Sequence, residues 1–190
     1  MDLMVDWDEY LNELIHAARL VDVHKYNKVY DLLIETYRQG RKVFICGNGG
    51  SASISEHFTC DHFKGVAEGG GISPKVISLS SNFPLISALA NDKSYGEIYS
   101  YQILGLAEYG DVLCVVSSSG NSENIIKAIQ AAKQLDLKTI GFVGFEGGEV
   151  IDIVDIAIHV PSNNYGIVED IHQMVMHSLA QRIRLNTIKD

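Results

Sequence analysis

Two glycine- and serine-rich turns and two groupings of histidine with carboxylate are where this 190-residue chain could do chemistry. The first turn, Gly47-Asn48-Gly49-Gly50-Ser51, follows the apolar run Val43-Phe44-Ile45-Cys46 and precedes a helical pattern. Glycines let the backbone turn sharply there. The free N–H groups at the helix start can then hold an anion, aided by the helix dipole. The same turn could also be a tight strand-to-helix connection with no ligand. No Lys-Ser/Thr pair follows it, so it is not a Walker loop, and it departs from G-x-G-x-x-G. The second turn, Ser117-Ser118-Ser119-Gly120-Asn121-Ser122, again sits between a strand pattern and a helix pattern. Its hydroxyls and backbone donors could wrap a phosphate without positive charge. Alone it would read as an N-cap made by Asn121 or Ser122. Two such turns after two parallel strands favour a ligand, because ligands in open α/β sheets collect at the carboxyl ends of strands.

His57 and Asp61 are spaced i,i+4 and share one helix face. They could ligate a metal or shuttle a proton, or form an ordinary surface pair. Further on come Glu169, Asp170, His172 and His177. Glu169 and His177 are separated by about 80° around a helix and about 12 Å along it. One metal reaches both most easily if they come from different subunits. His172 reads as a packing residue. Asn91-Asp92 could end a helix or bind sugar hydroxyls.

Elements must hold these groups in place. Leu11, Leu14, Ile15 and Ala18 stripe one helix, and Tyr30, Leu32, Leu33 and Tyr37 a second that ends at Gly40. Strands are expected at 43–46, 75–79, 112–117, 139–143 and 157–160. Helices are expected at 51–63, 84–90, 95–108, 123–135 and 166–184. This alternation predicts right-handed βαβ crossovers and a parallel sheet covered on both faces. Residues 65–73 hold four glycines and read as a mobile loop near the site.

Composition narrows the function. The chain is long enough for one sheet-and-helix core, and its 46% apolar content is ordinary for a globular domain. A formal charge of −9 disfavours nucleic acid and anionic membranes as partners. No apolar run approaches the roughly 20 residues that span a bilayer, and the acidic start is unlike a signal peptide. Three cysteines, Cys46, Cys60 and Cys114, without a CxxC pair, suit reduced thiols in the cytoplasm.

In order along the chain, the motifs resemble the sugar isomerase (SIS) domain family, and more narrowly the phosphoheptose isomerases. The resemblance rests on GNGGSA at 47–52, HFTCD at 57–61, SNFPLISALAND at 81–92, SSSGNSENIIKAI at 117–129 and VEDIHQMVMH at 168–177. It covers essentially the whole chain, 1–190, as a single domain whose residues 1–40 form a helical extension used in oligomerisation. It implies a three-layer α/β sandwich with a five-stranded parallel sheet, doubly wound as in flavodoxin. It also implies a homotetramer with sites between subunits. Ser51, Ser117, Ser118, Ser119 and Ser122 would hold the phosphate, and Asn48, Gly49, Asn91, Asp92 and Glu169 would line the sugar site.

The implied reaction interconverts a ketose and an aldose phosphate through a cis-enediol, namely sedoheptulose 7-phosphate and D-glycero-D-manno-heptose 7-phosphate. Asp61 or Glu169 would be the base and His177 the second acid/base. His57, Asp61, Glu169 and His177 would bind one zinc per site. Two positions depart from the family pattern: Asp61 stands for a glutamate and Glu169 for a glutamine. The alternative is a non-catalytic SIS-domain protein that binds a sugar phosphate or a replication-initiator partner.

Overall fold

Five short apolar runs, each stopped by a turn, become the five strands of one parallel sheet. The computed structural model describes residues 6–188, so 1–5 of the expected N-terminal extension lie outside the described residues. The strands are β1 (Lys42–Gly47), β2 (Lys75–Ser78), β3 (Val112–Ser117), β4 (Lys138–Val143) and β5 (Ile156–His159). Their order is β2-β1-β3-β4-β5, all parallel. This is the doubly wound order expected. The chain leaves β1 for one edge through β2, then returns to place β3 on the other side of β1.

The helices are α1 (Trp7–Arg19), α2 (Val23–Arg38), α3 (Gly50–Cys60), α4 (Phe83–Asp92), α5 (Ser100–Leu106), α6 (Glu123–Gln134), α7 (Val150–Ile153) and α8 (Tyr165–Asn186). Alternate strand residues point to opposite faces. Val43, Ile45, Cys114, Val116 and Phe142 pack with α1, α2, α3 and α8. Phe44, Cys46, Leu113, Val115 and Val143 pack with α4, α5, α6 and α7. Every residue of the central β3 is buried, as a strand covered on both faces requires. No helix of the described residues is long and apolar enough to cross a membrane.

Four expectations need correction. The helix expected over 95–108 is split into a tight turn at Tyr95–Glu97 and then α5. Gly96 lies so close to α6 that a Cβ would come within 2.8 Å of Glu123 Oε1, so packing overrides the local pattern. The short helix α7 is additional to the expected elements. The glycine stretch 65–73 is packed rather than loose. Asp61–Val66 continues α3 as a wider helical turn, Gly70 bridges to Ile188, and a Cβ on Gly71 would meet the Thr187 carbonyl. These glycines permit a close backbone approach to the end of α8.

The fourth correction concerns the apolar stripe of α1: Ile15 points to solvent, and Ala17 is buried in its place. In α8, Ile171, Val175 and Leu179 are buried in the chain's own core, whereas Met174 is exposed. The helices α1 and α2 pack on the same core as the sheet, and Tyr10 of α1 donates to Asp170 of α8 at 2.6 Å.

Two histidines are sealed inside. His62 stacks on Phe58 and bonds the Tyr37 hydroxyl through Nδ1 at 2.8 Å. His172 packs against Phe142. Burial pushes the first down to about 3 and the second down to about 4. Both stay neutral in the folded chain, while the unfolded chain takes up protons near pH 6.5. Stability is therefore full above about pH 6.5 and falls as pH drops toward 4. His172→Phe has no proton to gain there. Its loss of unfolding free energy from pH 7.5 to pH 5 should be smaller than the wild type's by about 2 kcal/mol. Equal losses in denaturant titrations would refute this.

Candidate active site

The first half of the site follows from one pairing. β1 and β3 lie side by side, with Gly47 level with Val116, so the two turns leave the sheet together. Between them is a cavity of about 190 Å³, lined by Asn48, Ser51, Ser117, Ser118, Ser119, Ser122, Tyr165 and Glu169. Among the described residues, no lysine or arginine lines it. Its donors come from elsewhere. Ser122 occupies the N-cap position of α6, yet its side chain makes no capping bond. Gly49, with φ +55°, caps α3 with no side chain at all. The first-turn N–H groups of both helices thus lack side-chain partners. Ser118 Oγ is buried and unpaired. An anion carrying several acceptor oxygens would find donors on both sides of this cavity.

The second half lies along two helices that run the same way. Glu169, in the second turn of α8, sits against Gly50 at the start of α3, where a Cβ would meet its carboxylate. Two turns further, His177 of α8 meets His57 of α3, with Nε2 atoms 3.1 Å apart. Asp61 joins them through Oδ1, 3.4 Å from His57 Nε2, and Oδ2, 3.5 Å from His177 Nε2. Asp61 begins the wider turn that continues α3, a distortion often found at functional sites. Gln173 reaches His177 Nε2 at 2.8 Å.

Ligand atoms of His57, Asp61 and His177 lie within 4.8 Å of one another. The two imidazole nitrogens are 3.1 Å apart and each is 3.4–3.5 Å from a different oxygen of Asp61, close to the roughly 3.3 Å expected between ligands on a tetrahedral ion with bonds of about 2.0–2.1 Å. Two imidazole nitrogens and a carboxylate oxygen also suit a divalent ion chemically, with a fourth position open.

The structure therefore brings together three of the four residues expected to bind metal and separates the fourth. Glu169 lines the serine cavity and is not a member of the histidine–aspartate cluster. His177 meets His57 within one chain, so a second subunit is not needed to assemble the cluster. The family resemblance, not spacing, puts Glu169 in the metal set; spacing along α8 alone does not show which end of α3 each residue faces. Asn48 and the five serines are brought together around this one cavity. Asn91 and Asp92 do not line this cavity; they are exposed at the end of α4 and bond each other at 2.8 Å. Sequence reasoning missed Asn124, Tyr95, Gln173 and Tyr165. Asn124 lies inside the second serine motif, and Gln173 one turn before His177, which were usable signals. Tyr165 had none beyond its place at a helix start.

Residues 6–144 match the model of the SIS domain. A phosphoheptose isomerase of Colwellia psychrerythraea is 38% identical over 155 residues, covering 80% of this chain and 79% of that protein. One from Alteromonas mediterranea is 33% identical over 184 residues, covering 95% and 92%. The structure of a phosphoheptose isomerase from Francisella tularensis superposes with a TM-score of 0.87 at 27% identity, covering 94% of each chain.

Glu169 is the one carboxylate among the phosphate-type donors. Burial, with a smaller contribution from Asp170, raises its pKa. Its ionised form is therefore less favourable in the folded chain than in the unfolded one. That cost sets in as pH rises through the ordinary carboxyl range and persists above the folded pKa. Glu169→Gln should raise Tm relative to wild type more at pH 7 than at pH 4. A gain as large at pH 4 would contradict this origin.

Proposed function

The chain belongs to the SIS-domain family, and we propose that it is a phosphoheptose isomerase interconverting sedoheptulose 7-phosphate and D-glycero-D-manno-heptose 7-phosphate. The observation that carries this reading is the distance between the two halves of the site. Six residues of α3 separate Ser51 from His57, a rise of about 9 Å. An extended seven-carbon chain covers about 7.5 Å from C1 to C7, and its phosphate adds about 2.5 Å, using carbon–carbon bonds of about 1.5 Å. A 7-phosphate in the serine cavity thus lays C1 and C2 beside Asp61, His57 and His177. Glu169 is then left near the phosphate end, which favours Asp61 as the base.

In the forward direction Asp61 takes a proton from C1. The electron pair forms the C1–C2 double bond, and the C2 oxygen takes a proton from His177 Nε2, a state in which the Gln173 amide turns its oxygen rather than its nitrogen to that N–H, giving the cis-enediol. Asp61 then returns its proton to C2. The O1 hydroxyl gives its proton to His177 as the C1 carbonyl forms. Atoms and charge balance, and no redox partner is consumed. His57, 3.4 Å from Asp61 Oδ1, orients the carboxylate. A zinc ion held by His57, Asp61 and His177 would occupy that nitrogen and, in place of its proton, would polarise the carbonyl and balance charge on the oxygen. A non-catalytic sugar-phosphate binder would need only the serine cavity. The converged histidine–aspartate cluster supports an enzyme.

The reading includes a homotetramer in the cytoplasm. Leu14, Met174 and Leu185 border a groove of about 790 Å³ beside His177, which suits contact with another copy. Cys46 and Cys114 are buried as free thiols on neighbouring strands, which suits a reducing compartment.

Assayed against five- to seven-carbon sugar phosphates, the protein should turn over sedoheptulose 7-phosphate best. Asp61→Asn should lower kcat by about 10²- to 10⁴-fold, and Glu169→Gln by less than about tenfold. Turnover confined to shorter sugars would overturn the substrate, and the reverse ranking would make Glu169 the base.

Elemental analysis tests the metal separately. Purified protein should carry about one zinc per chain. His57→Ala should lose it, and Glu169→Gln should keep it. Loss from both variants would return Glu169 to the ligand set, and full activity of zinc-free protein would make the cluster a proton-transfer set alone.

A further inference from the structure

Asn48, on the wall of the serine cavity, is held by residues outside the proposed catalytic set. Its Oδ1 accepts from Asn124 Nδ2 at 2.9 Å and from the Tyr95 hydroxyl at 3.1 Å, and its Nδ2 donates to Asn124 Oδ1 at 2.9 Å. An amide oxygen has two lone pairs and its nitrogen two hydrogens. Both oxygen positions are thus filled, and one N–H is used. The second N–H has no protein acceptor among these bonds, and Asn48 faces the cavity.

The backbone beneath is fixed as well. The buried Tyr99 gives its hydroxyl hydrogen to the Gly47 carbonyl, with Asn48 Oδ1 3.3 Å from the same hydroxyl. Ser80 Oγ accepts from Gly47 N–H at 3.3 Å. Two segments far from it in sequence, 95–99 and 124, converge on the Asn48 amide, and Ser80 holds the peptide of the residue before it. A lone asparagine at a glycine turn would have to be ordered when substrate binds. This one is ordered beforehand.

We infer that Asn124 and Tyr95 are positioning residues, which lock the Asn48 amide so that its remaining N–H addresses an oxygen of the sugar chain whose phosphate the serine cavity holds. The inference rests on the proposed isomerase reading for the identity of the ligand. The lock itself stands on the hydrogen bonds.

Tyr95 is 57% exposed, so Tyr95→Phe removes the hydroxyl without threatening the fold. It should raise KM for sedoheptulose 7-phosphate about two- to tenfold, leave kcat within about twofold, and leave inhibition by inorganic phosphate unchanged. Asn124→Asp, which sets a second acceptor against Asn48 Oδ1, should raise KM further. Neither change should add to the effect of Asn48→Ala in a double variant, because both act through that amide. A merely structural role would add. Unchanged KM in Tyr95→Phe, or additive effects, would overturn the inference. Side-chain amide signals of Asn48 in ¹H–¹⁵N spectra give a readout that needs no turnover. They should shift and exchange faster in Tyr95→Phe, and unchanged signals would overturn the lock. Absence of isomerase activity in the wild type would overturn only the reading of the substrate.

Discussion

The parallel pairing of β1 with β3 is the constraint on which the rest depends. It places Gly47 level with Val116, and so brings two turns some 70 residues apart in sequence to one edge of the sheet. Because the connection through β2 lies on the other side, nothing crosses over this edge. This is the point at which doubly wound sheets bind ligands. The turns could not serve separately. Ser51 and the start of α3 supply one set of donors, and Ser117 to Ser122 with the start of α6 the other. With no lysine or arginine among the lining residues, the cavity must neutralise an anion by backbone N–H groups, hydroxyls and helix dipoles, which a chain of formal charge −9 can offer without a basic patch.

The second structural requirement is that α8 runs parallel to α3. Glu169 then lies beside Gly50, and His177 beside His57. The site becomes a strip with a serine-lined end and a histidine–aspartate end, set by the rise of one helix. The core enforces this alignment, since Ile167, Ile171, Val175 and Leu179 of α8 are all buried against the sheet. The glycines at 69–71 let the chain after α3 close onto the end of α8, which fixes the helices at the far end too. On the proposed isomerase reading, the length of this strip is what selects among sugars.

How much of this could be read in the sequence depends on the range of the interaction involved. Strands such as Val112 to Ser117 and turns such as Gly47 to Ser51 were legible, because apolar runs and glycines act locally. His57 and Asp61 were legible as a pair, because four residues make one helical turn. The partner of that pair was not. Spacing along α8 gives the angle between Glu169 and His177, but only packing decides which of them reaches His57. Apolar stripes were ambiguous in the same way. Ile171, Val175 and Leu179 show that α8 buries a face, and the structure shows that the face is covered by this chain's own sheet. Glycines at 65–73 read as freedom, whereas they serve close contact. Asn124 and Tyr95 matter through Asn48, a relation that no local pattern encodes.

The central claim is that one extended ligand spans the strip. A crystal structure of the Asp61→Asn variant soaked with sedoheptulose 7-phosphate tests it directly. The account predicts phosphate oxygens within hydrogen-bonding distance of Ser51, Ser118 and Ser122, with C1 and C2 beside the substituted side chain at position 61 and His177. A ligand with its phosphate elsewhere, or with C1 and C2 against Glu169 and away from the histidines, would contradict it.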